Sequence, residues 1–530
     1  MQQDFISFQD TGYFSKLIDD YLTENSELHQ FYNRFPKLES FQEQIKEKQA
    51  SFTTQSRTTL VSVLKKQYQN VNTSETTLQS IDSLKEDNTF TITTGHQLNL
   101  FTGPLYFLYK IVSTINLSKE LKQKYPEYNF VPVYWMATED HDFEEINFFN
   151  FKGKKVQWNR ESGGAVGEFS TEGLEAIFNA FSNVLGTAKN AEVLKSLFRN
   201  AYLNHDNLAD ATRFLANELF KAYGLVIIDA NDSDLKKQFS PFIENELINQ
   251  TSFKSVSETN KELLKAYNVQ VNPREINLFY LKENLRERIV FEDEVYKVNN
   301  TSISWSKSEI LKHLNEVPER FSPNVIMRPL YQEVILPNLC YIGGGGELAY
   351  WFQLKDFFNK VEVPFPMLLL RNSVLIQTEQ QSEKLKKLNI SSKDIFLKRN
   401  DFINKKVRAI SNVNIDFSEQ KTHLEQQFKA LYKLAEQTDK SFSGAVKAQE
   451  VKQLKGLENL EKRLLKAQKR KLSDVISRMT ELQNALFPNQ TLQERQANFS
   501  ELYLEFGDQL IHQLVLNLQP LKGEFLILNL

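Results

Sequence analysis

The chain has 530 residues, which at roughly 150 per domain suggests about three domains. Its 64 Lys and Arg against 67 Asp and Glu leave a formal charge of −3, which argues against a global polyanion-binding surface. Hydrophobic residues at 41% exclude wholesale disorder, and 18 Gly with 14 Pro, roughly half the usual share, exclude low-complexity and collagen-like chains.

The opening Met1-Gln2-Gln3-Asp4-Phe5 lacks the basic and apolar regions of a signal peptide. No apolar run approaches the ~20 residues needed to span a bilayer. A soluble, cytoplasmic protein is expected. Residues 1–85 read as a helical segment packing on the core, with Tyr21, Leu28, Phe31, Phe35 and Leu38 at helical spacing. Thr89–Thr94 is a β-rich run ending at Gly95-His96-Gln97, and a helix is predicted from Pro104 through Leu117. Phe130–Met136 is a second apolar strand, so strand, helix and strand make the βαβ unit of a parallel sheet. Leu225–Ile228 and Pro364–Leu370 are further strands, and Phe148–Trp158 and Glu287–Val298 alternate as hairpins do. The fold class is therefore α/β: a Rossmann-like parallel-sheet core with inserted segments over 86–385, plus an α-helical antiparallel coiled coil over 386–490. In the coiled coil, a helix containing Phe417–Ala435 turns at Ser441–Gly444 into a second one with a seam of Leu457, Glu461, Leu464, Gln468, Lys471, Val475, Arg478 and Leu482. Residues 491–530 return to the core, with Phe525–Leu528 as a strand.

Three stretches could carry chemistry. Gly95-His96-Gln97-Leu98-Asn99-Leu100-Phe101-Thr102-Gly103-Pro104 follows the first sheet strand, where open α/β sheets bind ligands. Gly95 and Gly103 would let backbone amides approach an anion, and His96 could donate to it or shuttle a proton. The alternative is a tight strand–helix connection with a structural histidine. Glu139-Asp140-His141 closes the next strand and could bind an ammonium or Mg²⁺, or act as base. Asp142, Glu144 and Glu145 read as complements of a helix dipole. The third stretch holds Gly343, Gly344, Gly345 and Gly346, a glycine run explained by close approach to a ligand or by a flexible loop.

Around these loops the polar side chains of Gln97, Asn99, Thr102, Arg328, Tyr331, Gln332, Glu347, Tyr350 and Arg371 are candidate substrate contacts by position. Arg328 and Arg371 could each grip a carboxylate or phosphate bidentately, or serve structural ion pairs. Cys340, the one cysteine, excludes intrachain disulfides and thiolate-rich metal sites, and reads as a small buried hydrophobe. The stripe Lys462, Arg463, Lys466, Lys469, Arg470 and Lys471 reads as a solvated helix face, and nucleic acid is not an expected partner.

Four blocks, TTGHQLNLFTGPLYFLYKI, VPVYWMATEDHDFEEIN, MRPLYQEVILPNLCYIGGGGELAYW and LFPNQTLQER, together resemble the BshC family of cysteine ligases of bacillithiol biosynthesis. The resemblance spans the chain. It implies a Rossmann-like core similar to class I aminoacyl-tRNA synthetases and a coiled coil that forms a homodimer. It also implies amide formation between cysteine and glucosaminyl-malate, with ATP or another nucleotide activating the carboxylate and Mg²⁺ an open question. On that reading His96 and amides near Gly103 stabilise the transferring group. Glu139, Asp140 or His141 bind the cysteine ammonium or deprotonate the amine, and Arg328 and Arg371 hold the malate carboxylates. The six glycines Gly95, Gly103 and Gly343–Gly346 would face the nucleotide. No dedicated metal site is assigned, and with one cysteine the thiol would be recognised by shape and hydrogen bonding, or on a metal held by His and carboxylates. Gly345 stands where the family's GPGE-like segment would carry proline, so a looser loop is expected there. A non-catalytic nucleotide- or sugar-binding partner protein of the same pathway is the alternative.

Overall fold

The computed structural model describes residues 3–161 and 163–530. In chain order its strands are β1 (Gln3–Ser7), β2 (Thr89–His96), β3 (Asn129–Met136), β4 (Phe148–Phe151), β5 (Lys154–Gln157), β6 (Val226–Asp229), β7 (Leu278–Lys282) and β8 (Leu285–Glu292). They continue with β9 (Val295–Val298), β10 (Ser304–Trp305), β11 (Phe321–Pro323), β12 (Asn338–Gly343), β13 (Met367–Leu370), β14 (Val374–Gln377) and β15 (Glu524–Asn529). The chain divides into two compact units, Met1–Ile376 with Leu492–Leu530, and Gln377–Thr491.

In the first unit a parallel sheet runs in the order β13-β12-β2-β3-β6. Every residue of β2 is buried, as befits the centre of a sheet covered on both faces. Its threonines are tolerated because their hydroxyls are satisfied. Thr93 Oγ1 donates to Asn338 Oδ1 at 2.8 Å and Thr94 Oγ1 to the Ile342 carbonyl at 2.7 Å. The helix Tyr106–Lys124 connects β2 to β3 and begins two residues after Pro104. Phe90, Ile92, Cys340, Ile342, Met367 and Leu369 pack with Leu117 and Leu121 in one apolar cluster. Cys340 is fully buried there, and burial pushes its thiol well above the usual range.

Insertions separate the strands. Among the described residues the β4–β5 hairpin and four α-helices lie between β3 and β6. Between β6 and β12 comes an antiparallel sheet ordered β10-β9-β8-β7-β11. Two expectations need correction here. The N-terminal segment is not helical throughout: β1 pairs antiparallel with β15, from Gln3 opposite Leu528 to Ser7 opposite Glu524, with Ile6 buried between exposed polar residues and Phe5. Nor is the glycine run a loose loop. Gly343 ends β12, Gly344 caps the next helix, and Gly345 and Gly346 start the helix Gly345–Trp351.

In the second unit the helices Ser418–Ala435 and Lys440–Lys471 form the helical hairpin, with Phe428, Ala435 and Val446 at its core beside Leu424 and Tyr432. Its turn is at 436–439, ahead of Ser441–Gly444, because Asp439 caps the second helix by accepting from the Ser441 and Phe442 amides at 2.8 and 3.0 Å. Leu457, Glu461, Leu464 and Gln468 are partly buried, as the seam predicts, whereas Lys471 and Arg478 are exposed. The helix breaks at Leu472, and the buried position passes to Met479. Glu461 fits the seam because Arg408 and Lys421 pair with it at 2.8 and 3.0 Å. Among the described residues no helix is long and apolar enough to cross a membrane.

Candidate active site

The strand order fixes where a ligand can sit. From β2 the chain moves outward through β3 and β6, then returns to lay β12 on the other side of β2. The carboxyl ends of β2 and β12 thus flank the point where winding reverses, the place open α/β sheets use for ligands. A cleft of about 1070 Å³ opens there, lined by Gly95, His96, Glu139, Asp140, Gly344–Gly346, Glu347, Tyr350 and several arginines.

At the floor, Lys110 of the helix Tyr106–Lys124 donates to the Gly95 carbonyl at 2.6 Å and pairs with Glu347 Oε2 at 2.6 Å. Glu347 also accepts from Tyr341 Oη at 2.7 Å and from the Gly344 amide at 2.8 Å. Burial raises its pKa, but Lys110 and these donors outweigh that and hold the carboxyl below its usual range. A Cβ at Gly95 would lie 3.2 Å from Tyr341 Oη, so a larger residue there would push on the hydroxyl that Glu347 holds.

His96 is buried against Tyr106 and Phe107, with ring centroids 5.5 and 5.1 Å away. Burial first, and then the charges of Lys110 and Arg371, push its pKa well below the usual imidazole value, so the ring is neutral. Its Nε2 is buried without a partner, while the ring bonds to the Thr102 backbone. An Nδ1–H donating to the Thr102 carbonyl would leave Nε2 as the bare, proton-accepting nitrogen.

The end of β3 carries two carboxyls in contrasting settings. Glu139 forms an ion pair with the fully buried Lys236, and desolvation leaves its pKa raised. Asp140 is also desolvated, but bonds from His141 and Gln97, with the Arg286 charge, hold it well below the usual carboxylate range. Gln97 Nε2 donates to Asp140 Oδ2 at 3.0 Å and to Glu145 Oε2 at 2.9 Å. His141 is half-exposed, and its Nδ1 accepts from Arg286 at 2.7 Å.

Arginines dominate the remaining wall: Arg274, Arg286, Arg288, Arg328, Arg371 and Arg495. Arg328 donates to Gln332 Oε1 at 3.1 Å and to Tyr350 Oη at 3.4 Å. Arg371 pairs with Glu494 at 2.8 Å and donates through Nη1 to the Asn372 carbonyl and Ser373 Oγ. Its Nε is buried and unpartnered.

Several candidates from the sequence are not part of the cleft wall: Asn99, Thr102, Gly103, Tyr331, Gln332 and Gly343. Asn99 donates to the Glu145 carbonyl, and Gly103, at φ +61° and ψ −132°, packs where a Cβ would meet Asn99 at 2.6 Å. Asn498 ties this loop down through the Phe101 and Gly103 carbonyls at 2.8 and 2.6 Å. Tyr331 Oη donates to the Ala230 carbonyl at 2.6 Å. Gln332 bridges Arg328 to Glu333, which is paired with the buried Lys48 at 3.2 Å. These groups hold the site in shape.

Sequence reading missed Lys110, Lys236, Arg286, Arg288 and Arg495. A lysine inside the apolar run Leu108–Val112 was a usable signal for Lys110, and the spacing of Arg286 and Arg288 within a β-hairpin was another. Among the described residues no three His, Cys, Asp or Glu side chains gather as a metal site, so the residues present do not fit a resident thiol-binding metal.

Residues 1–372 match the family "Bacillithiol biosynthesis BshC, N-terminal Rossmann-like domain", and residues 374–530 match "Bacillithiol biosynthesis BshC, C-terminal coiled-coil domain". The chain is 64% identical over 530 residues to a Flavobacterium johnsoniae protein, covering 100% of both chains. It is 60% identical to one from Christiangramia forsetii (100% of this chain, 99% of the relative) and 40% identical to one from Cytophaga hutchinsonii (97% and 96%). All three carry the name "Putative cysteine ligase BshC". Among solved structures, Mycobacterium tuberculosis methionyl-tRNA synthetase in complex with methionyl-adenylate aligns at a TM-score of 0.22 and 8% identity, over 80% of this chain and 91% of that one, and carries no argument. Matched over both of its domains and at high identity along its whole length, this chain belongs to the BshC family of bacillithiol biosynthesis.

Proposed function

We propose that the chain is a carbon–nitrogen ligase that joins the carboxyl of L-cysteine to the amine of glucosaminyl-malate, with ATP consumed to activate the carboxyl. The carrying observation is the switch-point cleft, where a neutral histidine with a bare Nε2, an ionised Asp140 and a row of guanidinium groups face one space. Carboxylate and amine do not condense in water unaided, and the nucleotide supplies the leaving group as an acyl phosphate or adenylate. Any Mg²⁺ would be held chiefly by its phosphates.

Within this reading each residue has a task set by its surroundings. Asp140, held ionised, receives an ammonium group. Glu139, its pKa raised, and His96 Nε2 are the proton acceptors available to the attacking amine. Of the two roles the sequence left open for His96, donor to an anion or proton shuttle, this reading takes the second. Arg328, held by Gln332 and Tyr350, and the amides of Gly345 and Gly346 face the activated group. Exposed Leu431, Leu434, Phe442, Val451 and Leu460 on the helical hairpin support a homodimer through the coiled coil.

The test is a reconstituted reaction with ATP, L-cysteine and glucosaminyl-malate, read by mass spectrometry. A cysteine- and nucleotide-dependent amide product is expected; its absence under every nucleotide tried would favour the non-catalytic partner protein. Gly346 offers a finer check, since a Cβ there meets nothing within 4 Å. Gly346→Ala should raise stability by about 0.5–1 kcal/mol, as replacing a helical glycine does. It should also raise the KM for ATP if the backbone approaches the nucleotide. An unchanged KM in a stabilised variant would remove Gly346 from the ligand surface.

A further inference from the structure

The inserted antiparallel sheet contributes a feature that the ligase reading does not use. Arg286 and Arg288 are two residues apart on β8, so both project from one face, opposite Leu281 and Phe279 of β7. Both line the cleft, and the Nε atoms of both are buried without a partner. Arg286 lies over the Phe279 ring at 3.9 Å and is further fixed by its bond to His141. Burying guanidinium donors without acceptors costs free energy, and an anion is the chemistry that would satisfy them.

We infer that Arg286 and Arg288 form the seat of a dicarboxylate, holding the two carboxylates of the acceptor's malate half. This rests on the ligase reading, and it moves the dicarboxylate away from Arg328 and Arg371. Arg371 already gives both terminal nitrogens to its own chain, and Arg328 gives its pair to Gln332 and Tyr350. Two positions along a strand separate the guanidinium groups' Cα atoms by roughly 6.5–7 Å, and each planar fork suits one planar carboxylate. A polyphosphate would have other partners in the same cleft, at Arg328, Gly345 and Gly346. The cleft, at about 1070 Å³, exceeds what one small ligand usually fills, leaving room for both. Because Arg286 touches His141 beside Asp140, an acceptor anchored by its carboxylates on β8 lies next to the acidic cluster.

The experiment is calorimetric titration of the full chain with L-malate and, separately, with ATP, in the parent and in Arg288→Gln. Losing one charge-assisted fork should weaken L-malate binding by at least about tenfold and leave ATP binding within about twofold. Arg288→Lys, which keeps the charge and loses the fork, should fall between them and guards against a folding defect. A loss of ATP affinity instead would make the pair a polyphosphate seat and overturn the inference. So would unchanged L-malate affinity, or no L-malate binding by the parent at millimolar concentration. The two readings fail separately: a parent that binds L-malate through Arg288 but forms no amide would sink the ligase reading and leave the seat standing.

Discussion

His96→Gln is expected to reduce amide formation by about 10²–10⁴-fold, the usual contribution of a positioned proton-transfer group, with the protein still folded. Glutamine keeps a polar side chain of similar reach but cannot take a proton, so the substitution separates proton transfer from packing. In the free enzyme the ring is neutral because burial, Lys110 and Arg371 all oppose its charge. Phosphates entering the cleft reverse the sign of the local field, and an imidazolium beside them becomes easier to form. The acidic limb of kcat/KM should therefore lie below the ordinary imidazole value near ~6.5, and the limb of kcat should lie higher. Coincident limbs, or an undiminished rate in the variant, would remove His96 from proton transfer. Stability follows the same linkage. The unfolded chain binds a proton below about pH 6.5 that the folded ring refuses, so this contribution is present above that pH and fades as pH falls through the folded value. His96→Gln should flatten that slope in denaturation measured across the window.

Glu494→Ala should destabilise the unit formed by Met1–Ile376 and Leu492–Leu530 by about 3–5 kcal/mol, the cost of leaving a buried charge without its partner. Both side chains of the Arg371–Glu494 pair are at most 5% exposed. Glu494 also accepts from Ser373 Oγ at 3.1 Å and the Val374 amide at 3.2 Å, so three donors lose their acceptor at once. Denaturant midpoints report the loss, and a double variant replacing both partners with methionine should recover much of it. A fall below about 1 kcal/mol for Glu494→Ala would mean that water reaches the pair, contrary to its burial.

Both predictions depend on partners far apart in sequence, and this marks the boundary of what could be read from the chain alone. The runs at Phe130, Leu225 and Pro364 are strands because sheet burial on both faces demands continuous hydrophobicity, and the run at Thr89 because it is rich in β-branched residues, both local properties. β12 escaped notice because its strand residues, Asn338–Gly343, run directly into glycines that suggest a loop. Its partners, β2 and β13, decide that it is a strand. The coiled coil was visible as a repeat, but its turn and the slip at Leu472 depended on the Asp439 cap and on which residues found partners.

The sequence by itself determined the α/β class, four of the five strands of the parallel sheet and the loops that meet at its carboxyl edge, since periodicity and glycine placement are written locally. It also placed His96, Glu139, Asp140 and the glycines in those loops. Only the tertiary structure decided which of them line the cleft. It buried Asn99, Thr102 and Gly103 as scaffold and tied Arg371 to Glu494. It brought Lys110 and the β8 arginines Arg286 and Arg288 to the cleft and set the buried Lys236 against Glu139. A side chain's protonation and availability depend on what surrounds it in space, and burial and opposite charge come from residues tens to hundreds of positions away.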